Sequence, residues 1–239
     1  MTFGSQSIRE RAIWTHRGSP HPEHTRLAFE SAWNDGIRHF EVDIRKTKDH
    51  IVVLAHDSSI KRVAGIDLKI EELSFEQLQQ YQIAGENWMT LVELLESFPD
   101  ASISIDFKSD DVLDRAIAIV REFPQSKLVL GSFSAKRTKV LRREFPHHAS
   151  AATALEVLSM RLGYLPRAIR KRKIYAMVPR QHKGIEVLTK KFIATCQSAN
   201  VPIYVWVVND PHEMLELFDL GISGVVTDCY EKMLGNIKH

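Results

Sequence analysis

Cysteine is almost missing from this chain of 239 residues: Cys196 and Cys229 are its only thiols. They show neither metal-ligand spacing nor a disulfide framework, a usage that fits a reducing compartment. Long hydrophobic runs are missing as well, and none approaches the ~18 residues that a membrane span needs. Residues 1–11 are polar, include Glu10, and lack the apolar segment of a secretory leader. A large charge imbalance is also absent. The formal net charge is +2, so the balance demands neither nucleic acid nor an anionic membrane as partner. No dinucleotide-binding glycine pattern, P-loop, internal repeat or low-complexity tract occurs. What remains is a cytoplasmic globular protein, with no nucleic-acid partner and no stable membrane insertion expected and its oligomeric state left open. An apolar fraction of 44% is ordinary for a chain that buries a real core, here as one domain over residues 1–239.

Short β-branched or apolar runs alternate with helical patterns from end to end. Strands are expected over residues 12–15, 39–45, 51–55, 102–107, 128–130, 149–152, 174–178, 203–208 and 224–227. Helices are expected over 25–35, 90–98, 111–123, 134–145, 189–199 and 211–220, the last with Pro211 in its first turn and Gly221 after its end. Repeated strand–helix units of this number over this length predict a parallel sheet closed into a (β/α)8 barrel. An open doubly wound sheet is the alternative. Between His56 and Thr90 the rhythm breaks, and residues 58–89 read as a short insertion with one helical stretch, 74–80, that Ser74 and Gln77 could cap.

The chemistry concentrates at the carboxyl ends of the expected strands, where barrels of this kind carry their sites. His16-Arg17-Gly18 ends the first strand, Glu41-Val42-Asp43 the second, and His56-Asp57 follows shortly after. Histidine is the side chain best suited to moving protons near neutral pH. A Glu and an Asp two residues apart on a strand share a face, where they repel unless a cation lies between them. Asp106 and Lys108 end a further strand and Trp206 another. Three hard carboxylates, Glu41, Asp43 and Asp106, suit one Mg²⁺ or Ca²⁺ ion. Arg17 can fork onto an anion, and Lys108 adds a point charge. His16 and His56 would then divide the acid and base roles, in an order that spacing does not fix.

Taken in order, Thr15-His16-Arg17-Gly18, Pro22-Glu23-His24-Thr25, Glu41-x-Asp43 and His56-Asp57 resemble the motifs of the glycerophosphodiester phosphodiesterase family. Residues 103–108, Trp206-x-x-Asn209 and the closing segment 221–228 resemble its later motifs. The resemblance implies a (β/α)8 barrel with a small insertion, a divalent-metal site, and hydrolysis of glycerophosphodiesters to glycerol 3-phosphate and an alcohol. It also allows attack by the substrate's own neighbouring hydroxyl before water completes the reaction. His24 stands where the family has Asn, and Asp106 where it has Glu. Cys229-Tyr230 replaces an Arg-Pro pair.

Alternative readings accompany several residues. Glu23 could line the site or simply precede the helix at Thr25. Lys108 could bind phosphate or pair with Asp106. Trp206 could be a pocket wall or core. The basic run at residues 167–173 reads as a solvated helix end, with a patch for acidic lipid headgroups as the alternative. For the whole chain, a lysophospholipase D-type phosphodiesterase and a non-catalytic barrel binding a phosphorylated ligand are the competing functions.

Overall fold

Eight parallel strands close on themselves in the computed structural model, which describes residues 11–165, 169 and 171–236. In chain order the strands are β1 (Ala12–His16), β2 (His39–Lys46), β3 (Val52–Leu54), β4 (Ser102–Phe107), β5 (Lys127–Gly131), β6 (Ala149–Ala151), β7 (Ile174–Pro179), β8 (Gln181–His182), β9 (Ile185–Glu186), β10 (Ile203–Trp206) and β11 (Gly224–Thr227). The ring runs β1-β2-β4-β5-β6-β7-β10-β11 and returns to β1, so no stave is left with an open edge. Helices on the outside connect the staves, and the chain is a (β/α)8 barrel.

Alternation along the strands sorts the side chains into two cores. Residues such as Ile13, Phe40, Val42, Ile44, Ile103 and Ile105 point out and pack under the helices. Ala12, Trp14, Val129, Tyr204 and Val226 point in and fill the lumen. Trp14 forms a floor there, tilted over His39 at 5.0 Å and edge-on to Tyr204 at 5.3 Å. Gly224 is required beside this floor, because a Cβ there would meet the Tyr204 ring at 2.8 Å. By the same period of two, His16 follows Trp14, Glu41 and Asp43 follow His39, and Trp206 follows Tyr204 on the inward face. Register then aligns them across neighbours: His16 stands beside Glu41, and Asp43 beside Asp106.

One expected stave proves to be something else. The run at 51–55 forms β3, which pairs antiparallel with the end of β2 rather than joining the ring. A tight turn causes the reversal: Thr47 Oγ1 donates to Asp49 Oδ1 at 2.6 Å, Ile51 N donates to Thr47 Oγ1 at 3.0 Å, and His50 is left-handed with φ 66°. β3 delivers the chain into the insertion, which has its own small core of Val53, Ile60, Ile70, Leu78, Ile83 and Trp88. The expected capping box at Ser74 and Gln77 forms there, on a helix limited to Phe75–Leu78. The helix Ala154–Arg161, capped by a Thr153–Glu156 box, was not anticipated. Cys196 and Cys229 are both free thiols. Among the described residues no helix is long and apolar enough to cross a membrane. Lys171, Arg172 and Lys173 of the basic run are exposed; Arg167, Arg170 and the polar residues 1–10 lie outside the described residues.

Candidate active site

The turn after β1 sets the centre of the site. Arg17 and Gly18 are both left-handed, with φ 57° and 83°. Gly18 also lies so close to the helix Arg26–Asn34 that a Cβ would sit 2.6 Å from the Cβ of Ala28, so no other residue fits without displacement. The two left-handed residues swing the chain off β1, and Arg17 N donates back to the Glu41 carbonyl at 2.9 Å. The Arg17 guanidinium thereby lies over β2, with Nε 2.9 Å from Asp43 Oδ2 and a terminal nitrogen 3.6 Å from Glu23 Oε2.

Each of the two expected proton-transfer histidines is held by a carboxylate. His16 Nδ1 donates to Asp228 Oδ1 at 2.7 Å, and its Nε2 is 3.8 Å from Glu41 Oε2. His56 Nδ1 donates to Asp57 Oδ1, also at 2.7 Å. A proton fixed on Nδ1 leaves Nε2 as the reactive nitrogen, the arrangement by which a carboxylate orients an imidazole. The His16 bond pulls the Asp228 carboxyl below its ordinary range against the opposing effect of burial, and Asn209 adds to it. At Asp57 burial works upward, but His56 and Arg62 together hold the carboxyl low.

Arg62 is a site residue that sequence reasoning missed. It lies on the short insertion helix Lys61–Ala64 and bonds to two site acids at once: Nε donates to Asp57 Oδ2 at 2.6 Å, and the fork grips Glu23 at 2.7 and 2.8 Å. Glu23 therefore pairs with Arg62 and Arg17 at the mouth, and the following helix is capped by Thr25. Its acidity is strengthened by Arg62 and other cations against burial. A small cleft lies here, lined in part by Glu23, His24, His56, Asp57, Arg62 and Trp88. Asp228 and Asn209 were likewise absent from the expected set. Asn209 and Asp228 end two of the later motifs, which was the signal available for them, whereas Arg62 belongs to no motif.

The carboxylates gather on the barrel side. Asp43 is 1% exposed, and Lys108 Nζ bridges its Oδ1 at 2.6 Å and Asp106 Oδ2 at 2.7 Å. Burial would raise the Asp43 pKa, but the cations beside it, Lys108 and Arg17 among them, hold it below its ordinary value, so the carboxylate is the stable form. Burial and neighbouring Asp43 drive Glu41 the other way, well upward. Asp106 is raised by burial despite Lys108. Glu41 Oε2 and Asp43 Oδ2 are both buried without a hydrogen bond. The Arg17 Nε proton is misaligned for Asp43, so closeness there yields an ion pair without a hydrogen bond.

His24 has a supporting place. It is 1% exposed and left-handed, and its Nε2 accepts from the Asp43 backbone N–H at 3.2 Å. Burial lowers its pKa to about 4, so it is neutral. Trp206 forms a wall at the mouth, edge-on to Phe133 at 6.4 Å, and Lys108 lies 5.6 Å from the Phe133 ring centre. All ten expected site residues therefore meet around one barrel mouth.

Known proteins match this arrangement. Residues 16–232 match the glycerophosphoryl diester phosphodiesterase family. A probable glycerophosphodiester phosphodiesterase 2 of Mycobacterium tuberculosis is 26% identical, the match covering 91% of this chain and 87% of the relative. A lysophospholipase D of Rattus norvegicus is also 26% identical, over 92% of this chain and 83% of its own. The crystal structure of a glycerophosphodiester phosphodiesterase from Thermotoga maritima superposes with a TM-score of 0.78 at 26% identity, covering 95% of this chain and 98% of that one.

Proposed function

The chain belongs to the glycerophosphoryl diester phosphodiesterase family and is a phosphoric diester hydrolase; from that premise we propose that it converts glycerophosphodiesters to glycerol 3-phosphate and an alcohol with His16 and His56 as its acid–base pair. The observation that carries this reading is the matched anchoring of the two rings, each with Nδ1 at 2.7 Å from a carboxylate. That leaves two Nε2 atoms for proton transfer: one takes the proton of the attacking hydroxyl, the other protonates the departing alkoxide. Arg17 and Lys108 supply positive charge against the phosphodiester, whose charge must be offset before a nucleophile can approach.

The donor chemistry of Glu41, Asp43 and Asp106 suits a hard divalent cation, although among the described residues no group of three His, Cys, Asp or Glu side chains is already gathered closely enough to hold one. Glu41 Oε2 is buried with no hydrogen-bond donor, a condition that a cation would relieve, whereas Asp43 Oδ2 already meets the Arg17 guanidinium at 2.9 Å. Glu41, Asp43 and Asp106 would hold Mg²⁺ or Ca²⁺, with Lys108 giving up its present contacts to Asp43 and Asp106. Such an ion, when bound, supplies Lewis-acid polarisation of a phosphoryl oxygen.

A lysophospholipid substrate is the second reading, favoured by Phe133, 79% exposed beside Trp206 at the mouth. Binding without turnover is the least favoured, because it leaves two carboxylate-anchored histidines without a task. The test is release of glycerol 3-phosphate from glycerophosphocholine, with lysophosphatidylcholine in parallel, before and after chelation. Release that stops with chelator and returns with Mg²⁺ or Ca²⁺ is expected. Full activity in excess chelator would remove the metal from this reading, and no release from either substrate with metal present would overturn the reaction.

A further inference from the structure

Charge on this chain is unevenly distributed. Residues 135–173 contain eleven Lys and Arg against two acids, Glu144 and Glu156, a balance of +9 in a chain whose total is +2. The described residues of this segment, 135–165, 169 and 171–173, cover the flank of the barrel outside β5, β6 and β7. Its central helix, Ala154–Arg161, turns an unusual face outward. Leu155 is 73% exposed, Leu158 49% and Leu162 62%. Their spacing of three and four residues places them on one stripe. Such residues are costly in water when they are contiguous, and a row of them marks a contact surface.

Cationic rows border that stripe on both sides. The helix Ala135–Glu144, joined to it through the Arg142–Glu156 ion pair, exposes Lys136 and Lys139. The helix Lys190–Ser198, joined through Cys196 against Met160 at 3.5 Å, exposes Lys190 and Lys191. None of these four lysines has a carboxylate within ion-pair distance among the described residues. Leu155 begins its helix just after β6, at the end of the barrel that carries the site, and the exposed Phe133 follows the neighbouring β5. The stripe therefore runs up to the rim of the mouth.

We propose that this flank docks peripherally on an anionic lipid bilayer, with the leucine stripe at the headgroup boundary and the lysine rows against acidic headgroups. Apolar residues between basic rows are the combination that holds a protein at such an interface, and neither part suffices alone. A second copy of the chain fits less well, since lysines on both sides of the stripe would oppose the lysines of any symmetric partner. The docking is independent of the reaction assigned above.

Co-sedimentation of the full chain with vesicles tests it. The protein should pellet with phosphatidylcholine–phosphatidylglycerol vesicles and not with phosphatidylcholine alone, and added salt should weaken the binding. The triple variant Lys136→Glu, Lys139→Glu, Lys190→Glu should bind at least ~10-fold more weakly. Leu155→Ser, Leu158→Ser, Leu162→Ser should do the same, while both variants retain wild-type turnover of a soluble glycerophosphodiester. If the leucine variant fails to fold, the charge variant alone decides, since its positions are exposed. No binding to anionic vesicles, binding that both variants keep, or a wild-type dimer that the leucine variant dissociates while vesicles are ignored would each overturn the proposal.

Discussion

Two histidines at one mouth are anchored at the same distance by different means. His16 belongs to a barrel strand, and its Asp228 begins the loop after another. That carboxylate is steadied by a neutral amide: Asn209 Nδ2 donates to Asp228 Oδ2 at 3.1 Å, while Asn209 Oδ1 accepts from Thr227 and from the Asp228 N–H. His56 lies beyond the ring, after β3, and its Asp57 is steadied by a charged fork that also grips Glu23. Where strands already fix the chain, a neutral bond suffices to orient a carboxylate. Where the supporting segment is an insertion, an ion-pair clamp ties it back to the barrel. Exposure follows the same division, 20% for the His16 side chain and 36% for His56.

Replacing either ring breaks the comparison at its centre. His16→Ala and His56→Ala should each lower kcat by roughly 10²–10⁴-fold, the usual share of one acid–base group, with little change in Tm; wild-type kcat in either variant would remove that residue from the mechanism. Next come the supports. Arg62→Ala should reduce kcat by about 10–100-fold, in line with the loss of an orienting partner, and Asn209→Ala by less. Equal losses would mean that the clamp and the amide do the same job. On the barrel side, Asp106→Asn should weaken activating metal by ~10-fold or more while Asp106→Glu binds at least comparably. An unchanged metal midpoint for Asn would show that Asp106 only pairs with Lys108.

The smallest effect concerns His24, which has no reacting role and so sharpens the contrast with the other two. Its folded pKa of about 4 lies below the unfolded 6.5, so between these values the unfolded chain binds the extra proton. Stability from this group is complete above pH 6.5 and declines as pH falls toward 4. Between pH 7.5 and 6 the loss is about 1 kcal/mol. His24→Asn keeps an acceptor for the Asp43 N–H and removes the titration, so its Tm should fall less with pH. An identical slope would show that His24 is not the group responsible.

The barrel and its mouth were legible because they rest on local rules. Period-two alternation put Glu41 and Asp43 on one face, and the strand ends placed His16, Asp106, Lys108 and Trp206 at the mouth. What escaped depends on non-local pairing. Arg62 looks in sequence like any surface cation of a short helix; its value comes from Asp57 and Glu23 meeting it in space. The antiparallel course of β3 was hidden because a strand's direction lies in its turn, here the Thr47–Asp49 bond. The helix Ala154–Arg161 was overlooked although Thr153 and Glu156 form a capping box, because its leucines face outward and invert the pattern by which helices are recognised.

The insertion's separate core, Val53 to Trp88, is small, and its cluster is distinct from the one under the barrel helices. Segments of that kind open at lower free energy than the body they attach to. Arg62 and the Asp57–His56 pair travel with that segment, so an opening that leaves every stave in place still takes His56, the proposed proton-transfer group, out of register. Heat should therefore silence the enzyme before it melts the barrel, with activity lost reversibly over a range in which the far-ultraviolet signal of the strands and helices has barely changed. Amide exchange would show the same order, with residues 58–89 releasing their protons while β4 and β11 still hold theirs.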